Sequence, residues 1–107
     1  MRISELERRL HLQRGTIRFY EKQGLLSPQR EENGYRCYTE ADIAALEQIV
    51  SLRKLGISIA NIKAVFSGSL SLNDAVDSNI PVLEKQIETL HGALASCRAI
   101  VEHDGQK

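Results

Sequence analysis

The sequence predicts a mainly α protein: a winged helix-turn-helix head with a small β-hairpin wing, followed by a long helix. Three observations carry this reading. Two short helical patterns stand three or four residues apart near the N-terminus. An Asn33-Gly34 turn signal is followed by alternating aromatics. The last third repeats an apolar residue every three or four positions. A chain of 107 residues is the size of one domain, or of a small domain with an appended helix, and is too small for a large enclosed active site.

Taken in order, Ser4-Glu5-Leu6-Glu7 is a capping-box pattern in which Ser4 accepts from a backbone N–H and Glu7 reaches back. A short first helix should run from there to about Arg9. Leu10-His11-Leu12 supplies a turn, and a second helix follows from Gln13 or Arg14 to Gln23, closed by Gly24 in a left-handed position. After Leu25-Leu26-Ser27-Pro28 and the polar stretch Gln29 to Gly34, the run Tyr35-Arg36-Cys37-Tyr38-Thr39 reads as a strand of the wing. Thr39 and Asp42 then cap a third helix, whose Ile43, Leu46, Ile49, Val50, Leu52 and Leu55 keep helical spacing until Gly56. Ser58 opens a short fourth helix whose Ile59, Ile62, Val65 and Phe66 can pack back on the third, and Ser67-Gly68-Ser69 ends it.

Beyond it, Val76, Ile80, Leu83, Ile87, Leu90, Leu94, Cys97 and Val101 are spaced 4, 3, 4, 3, 4, 3, 4, with Glu84, Lys85, Glu88 and Arg98 off that seam. This is a heptad stripe. Pro81 lacks a backbone donor and clashes with the preceding turn, so the uninterrupted helix is expected from near Asn79, with Asn73 to Ser78 a separate turn or kinked lead-in. About 22 residues would give a rod of roughly 33 Å. A rod with one apolar seam and nothing downstream to cover it needs a partner, and the polar tail Asp104 to Lys107 is expected to fray.

The formal net charge is zero, but residues 1–39 hold eight Lys/Arg and five Asp/Glu, whereas residues 40–107 hold six and nine. One end is therefore basic. Phe19, Tyr20, Tyr35 and Tyr38, four of the five aromatics, share that end with Arg18, Arg30 and Arg36, an interleaving suited to phosphate and sugar contacts. The two cysteines, Cys37 and Cys97, stand sixty positions apart and suggest no disulfide framework, which fits a reducing, cytoplasmic setting. No apolar run approaches the length that crosses a bilayer, so no membrane partner is expected. His11, His91 and His103 show no ligand spacing, and no HExxH, CxxC, P-loop or GxSxG pattern occurs. No enzyme activity, metal or cofactor is expected.

The runs Ile3-Ser4-Glu5-Leu6, Thr16-Ile17-Arg18-Phe19-Tyr20-Glu21, Gly24-Leu25-Leu26, Asn33-Gly34-Tyr35-Arg36-Cys37-Tyr38 and Leu52-Arg53-Lys54-Leu55-Gly56 span residues 3–66 in an order that resembles the MerR family of bacterial transcription regulators. The resemblance implies a DNA-binding winged helix-turn-helix over residues 1–69, with the helical pair after the hairpin as another wing. Residues 70–107 become a linker and dimerisation helix, which forms an antiparallel coiled coil between two protomers. It further implies a homodimer on a pseudo-palindromic operator in double-stranded promoter DNA, which the protein distorts, with RNA polymerase as a further partner. The effector-binding segment usual after the coil is expected to be missing, and no inducer is indicated.

On the second helix Ile17 and Tyr20, with Leu6, Leu10 and Leu12, can form the buried side, leaving Arg14, Gly15, Arg18 and Phe19 outward. The alternative rotation buries Phe19 and turns Tyr20 to the DNA. Arg18 is the first candidate reader, because a guanidinium fork can grip phosphate or the O6/N7 edge of guanine. Phe19 stands where tyrosine is common in the family; it can touch a thymine methyl but cannot hydrogen-bond a phosphate. The DNA-binding candidates are Arg14, Thr16, Arg18, Phe19, Tyr20, Tyr35, Arg36, Tyr38 and Lys63, of which one wing tyrosine is expected to be structural and Lys63 is the weakest. The dimerisation candidates are Ile80, Leu83, Ile87, Leu90, Leu94, Cys97 and Val101. Cys37 and Cys97 read as inert thiols, and in an antiparallel dimer the two Cys97 would lie near opposite ends. The competing idea, a protein-interaction module that binds DNA weakly or not at all, is opposed by the charge split and the clustered arginines.

Overall fold

Five helices and one two-stranded hairpin make up residues 1–105, the part of the chain described in the computed structural model. The first helix, α1 (Ile3–Leu10), starts one residue before Ser4 and so corrects the expected cap. Arg2 occupies the N-cap position in extended conformation without a side-chain bond. Its carbonyl accepts from Glu5 N at 3.1 Å and Leu6 N at 3.3 Å, which starts the helix with Ser4 already inside it. Glu7, freed from capping, takes Arg14 instead. His11 ends α1 in the left-handed region (φ 54°), a conformation that favours glycine but is open to histidine. That reversal delivers the chain into α2 (Arg14–Lys22) after three residues, and Gly24 (φ 79°) ends it as expected.

The wing is smaller than its aromatics suggested. β1 (Gln29–Arg30) pairs antiparallel with β2 (Arg36–Cys37), Gln29 opposite Cys37 and Arg30 opposite Arg36. The strand does not continue through Thr39, because Tyr38 turns to the N-terminus: its N–H donates to Met1 O at 2.6 Å, and the Met1 amine donates to Tyr38 O at 2.9 Å.

Helix α3 (Glu40–Lys54) has the full capping box, with Thr39 Oγ1 accepting from Asp42 N and Asp42 Oδ2 accepting from Thr39 N. Asp42 is buried, and its other oxygen accepts from Ser27 N at 3.2 Å, so one carboxylate ties the loop before the wing to the helix that follows it. Ser58 caps α4 (Ile59–Ser67) by accepting from Asn61 N. The head core gathers Leu6, Ile17, Leu46, Ile49 and Ile62, all inaccessible to solvent, with Tyr20, Leu25, Leu26, Tyr38, Ile43, Leu52 and Ile57 around them.

The long helix α5 (Leu72–Gly105) runs 34 residues straight through Pro81, which corrects the expected start near Asn79. Ser71 Oγ accepts from Asp74 N at 3.0 Å and Ala75 is fully buried, so the first turns are held from outside the proline. The missing N–H of Pro81 removes one bond, to Asp77 O, from a ladder that has neighbours on both sides. Asn79 Nδ2 donates to Leu55 O at 2.6 Å, and a Cβ on Gly56 (φ 89°) would sit 3.8 Å from Leu83 Cδ2, so α5 docks on the turn between α3 and α4. Past that contact it projects away, and the chain measures 72 × 32 × 18 Å. Asp104 and Gly105 are still helical; the rest of the tail expected to fray, residues 106 and 107, lies outside the described residues.

Candidate nucleic-acid interface

Helix α2 is rotated so that Ile17 and Tyr20 face the core while Arg18 and Phe19 face outward. Of the two rotations open to the sequence, this one removes Tyr20 from the DNA-facing set: it is only 7 % exposed, whereas Phe19 is 44 % exposed. Positions 17 and 20 lie on one helical face and 18 on another, and the apolar surface of α1 and α3 claims the first. Thr16, in the first turn, is half-buried.

Around α2 the cations are held by acids. Arg14 Nε donates to Glu7 Oε1 at 3.0 Å, and Arg2 Nη2 to Glu31 Oε2 at 3.1 Å, with the Arg2 guanidinium 4.6 Å from the centre of the exposed Tyr35 ring. Arg36 Nε donates to Glu21 Oε1 at 2.9 Å, and Tyr38 OH donates to Glu21 Oε2 at 3.3 Å. Glu21, through its hydrogen bond and its charge, holds the Arg36 guanidinium firmly protonated. Burial pushes the Tyr38 phenol up and Glu21 pushes it further, while Arg36 and Arg18 pull it back. Tyr38 is itself only 2 % exposed, so it too leaves the DNA-facing set and is the structural tyrosine of the wing.

Arg18 differs from these neighbours. It is exposed and, among the described residues, has no hydrogen bond or ion pair. It lines a cleft of about 420 Å³ between α1, α2 and the wing, together with Arg2, Arg14, Tyr35 and Arg36. A second hollow of about 570 Å³ on the other side of α2 is lined by Arg18, Phe19, Lys22 and again Arg36. Arg18 and Arg36 therefore border both. A surface with an unpaired cationic fork, an exposed ring and two flanking grooves can grip a polyanion and reach past it.

Lys63 lies apart, on α4, with Nζ 3.4 Å from Gln23 Oε1 beside a small hollow shared with Gly24 and Phe66. Arg2, Glu7, Glu21 and Lys22 belong to this surface but are absent from the DNA-binding candidates read from the sequence. The pairs that involve them join residues 7, 15 and 29 positions apart, and local periodicity gives no signal for such pairs. Among the described residues no three His, Cys, Asp or Glu come together as a metal site, and no helix is long and apolar enough to cross a membrane.

The seam of α5 is a second surface. Ile80, Leu83, Ile87, Leu90, Leu94 and Val101 are 38 to 70 % exposed, and Cys97 is exposed with them.

The model of the MerR HTH family regulatory protein matches residues 1–69. An uncharacterised HTH-type transcriptional regulator of Synechocystis is 30% identical, with 97% of this chain and 87% of that protein covered. The HTH-type transcriptional regulator ZntR of Escherichia coli is 40% identical over 62% of this chain, a match that spans 48% of ZntR. Among solved structures, the EcmrR–DNA complex in EcmrR-RPo superposes over all of this chain and 40% of that one, with a TM-score of 0.87 and 27% identity. MtaN, the N-terminus of the Bacillus subtilis multidrug transporter activator, shares the fold over 94% of this chain and 97% of its own, with a TM-score of 0.82 and 20% identity. With the family model covering the entire head and a relative aligned along almost the full chain, this protein belongs to the MerR family of helix-turn-helix transcription regulators.

Proposed function

We propose that two copies pair along the α5 seam and that the homodimer binds a pseudo-palindromic operator in double-stranded promoter DNA, with α2 of each head in a major groove. The observation that carries the reading is Arg18: an exposed guanidinium with no intramolecular partner, bordered by two grooves, on the outward side of a recognition helix. An arginine free of acids keeps all its donors for a ligand, whereas Arg14 and Arg36 already share theirs with Glu7 and Glu21. In this reading Arg18 reads a base or phosphate and Phe19 touches a thymine methyl or sugar. Arg14, Thr16, Tyr35 and Arg36 line the backbone, and Lys63 reaches flanking phosphate.

Residues 1–69 then form the DNA-binding unit and 70–107 the linker and dimerisation helix. The dimer follows from the uncovered seam, since six large aliphatic side chains along one stripe of a projecting helix are a costly surface to leave in water. An antiparallel pairing sets the two heads apart at opposite ends of the rod, as two half-sites one or more helical turns apart require. The operator is distorted on binding, and RNA polymerase is the further partner. The protein acts in the cytoplasm by binding, without catalysis and without a cofactor.

Sedimentation equilibrium, together with selection of duplexes from a random pool, tests the reading. A dimer that enriches a two-fold symmetric sequence is expected. Ile87→Lys, which sets an ammonium in the middle of the seam, should raise the dimer dissociation constant about 100-fold or more and abolish binding to the selected duplex. A monomeric wild-type protein, or enriched DNA without symmetry, overturns it.

A further inference from the structure

Glu21 stands on the recognition helix, yet both of its carboxylate oxygens face the wing: Oε1 accepts from Arg36 Nε and Oε2 from the Tyr38 hydroxyl. The two donors differ in kind. Tyr38 is buried and bonded through its backbone to Met1, so it is a fixed point in the head. Arg36 is half-buried and borders both grooves with Arg18, so it is the movable cation of the pair. We propose that Glu21 is a positioning residue that sets DNA specificity: it holds the wing arginine in one orientation against the recognition helix, and it keeps that cation from swinging to the phosphates of arbitrary DNA. The proposal rests on the DNA-reading assignment above.

Two physical effects lead to the same result. Arginine has a long, freely rotating side chain, and a carboxylate on Nε fixes its plane while leaving the terminal nitrogens for a ligand. Binding to arbitrary DNA is driven by counterion release and grows with every cation that reaches a phosphate, whereas selectivity depends on donors held at the right place. An acid bonded to Arg36 in the hollow that Arg18 also lines therefore lowers the first and supports the second. It also offsets the repulsion of two guanidiniums bordering the same clefts when no DNA is bound.

The test compares the duplex that the wild-type protein selects from a random pool with a shuffled duplex of equal length and composition, each titrated at several salt concentrations. Glu21→Gln should bind the shuffled duplex more tightly and the selected one more weakly, so that discrimination falls about tenfold. The salt dependence on the shuffled duplex should steepen by about 0.9 for each Arg36 released to a phosphate. Glu21→Asp keeps the charge but shortens the reach, so it should retain the wild-type salt dependence while losing discrimination. Tyr38→Phe removes a neutral donor and should leave the salt dependence unchanged. Wild-type discrimination in Glu21→Gln overturns the proposal, as does an equal loss on both duplexes with an unchanged salt dependence, which is the mark of a merely structural residue. If Glu21→Gln melts below the assay temperature, Glu21→Asp decides alone, and full discrimination in it overturns the proposal. A wild-type protein that enriches no duplex refutes the DNA-reading assignment itself, before any variant is measured.

Discussion

Replacing Arg18 with alanine tests the central assignment with little collateral damage to the fold. The side chain is exposed and has no intramolecular partner among the described residues, so its removal leaves no buried group unsatisfied, and unfolding should shift by no more than about 0.5 kcal/mol. The whole effect should then appear in binding. One bidentate arginine contact is worth about 1–3 kcal/mol of discrimination, and a symmetric dimer makes it twice, so operator affinity should fall by about 2–6 kcal/mol, a factor of roughly 30 to 25,000. If the contacts are to phosphates, the log–log salt slope should also flatten by about 1.8. Fluorescence anisotropy on the selected duplex from 50 to 300 mM salt, about a hundredfold range of affinity for a few phosphate contacts, reads both quantities at once. Arg18→Lys separates the two roles, because lysine keeps the charge and loses the planar fork: a base-reading Arg18 loses selectivity in this variant, and a phosphate-binding one does not. Operator affinity within threefold of wild type in Arg18→Ala, with the slope intact, would overturn the assignment of Arg18, since no other acid-free guanidinium borders both grooves.

Two further substitutions probe the frame that carries this surface. Asp42→Ala removes a buried carboxylate that accepts from Ser27 N, Thr39 N and Thr39 Oγ1; the free energy of unfolding in urea should fall by about 2–4 kcal/mol, and a loss below about 0.5 kcal/mol would show that the clamp does not bear on stability. Burial and Glu21 raise the Tyr38 phenol above its ordinary value of about 10, so the folded state holds that proton more tightly than the unfolded chain. Its contribution is fully present below the unfolded value and is lost as pH rises through the higher folded one. Melting midpoints should therefore fall more steeply above about pH 10 in wild type than in Tyr38→Phe, and parallel curves would contradict this.

Much of the head was legible in the sequence because its punctuation is local. Gly24, Gly56 and Gly68 all stand at positive φ where a helix stops, and Thr39, Asp42 and Ser58 cap as their spacing indicates. The apolar face of α3 and the seam of α5 follow from periodicity alone. Ser4 misled because Ile3 is half-buried against the core and the N-cap falls two residues earlier, at Arg2, leaving the residue best suited to cap inside the helix. The rotation of α2 could not be read locally. Both rings of Phe19-Tyr20 are large enough to fill a core, and the choice between them is made by Leu6 and the residues of α3 that share the cluster with Tyr20.

Pro81 shows how tertiary contacts override a strong local signal. In isolation an interior proline costs about 3 kcal/mol, partly through the lost donor and partly through its clash with the carbonyl four residues back. Here the turns before it are held independently: Ser71 caps them, Ala75 is wholly buried, and Asn79 reaches across to Leu55 O at the end of α3. Docking contacts stand on both sides of the proline, Asn79 on Leu55 O before it and Leu83 beside Gly56 after it, so a break at Pro81 would relieve one backbone defect but pull Leu83 away from the turn. The continuous helix is thus the lower-energy arrangement. Its consequence is mechanical, since the segment that docks on the α3–α4 turn and the segment that bears the exposed seam are one rod. In the homodimer proposed above, the orientation of each recognition helix would then follow the orientation of the coil.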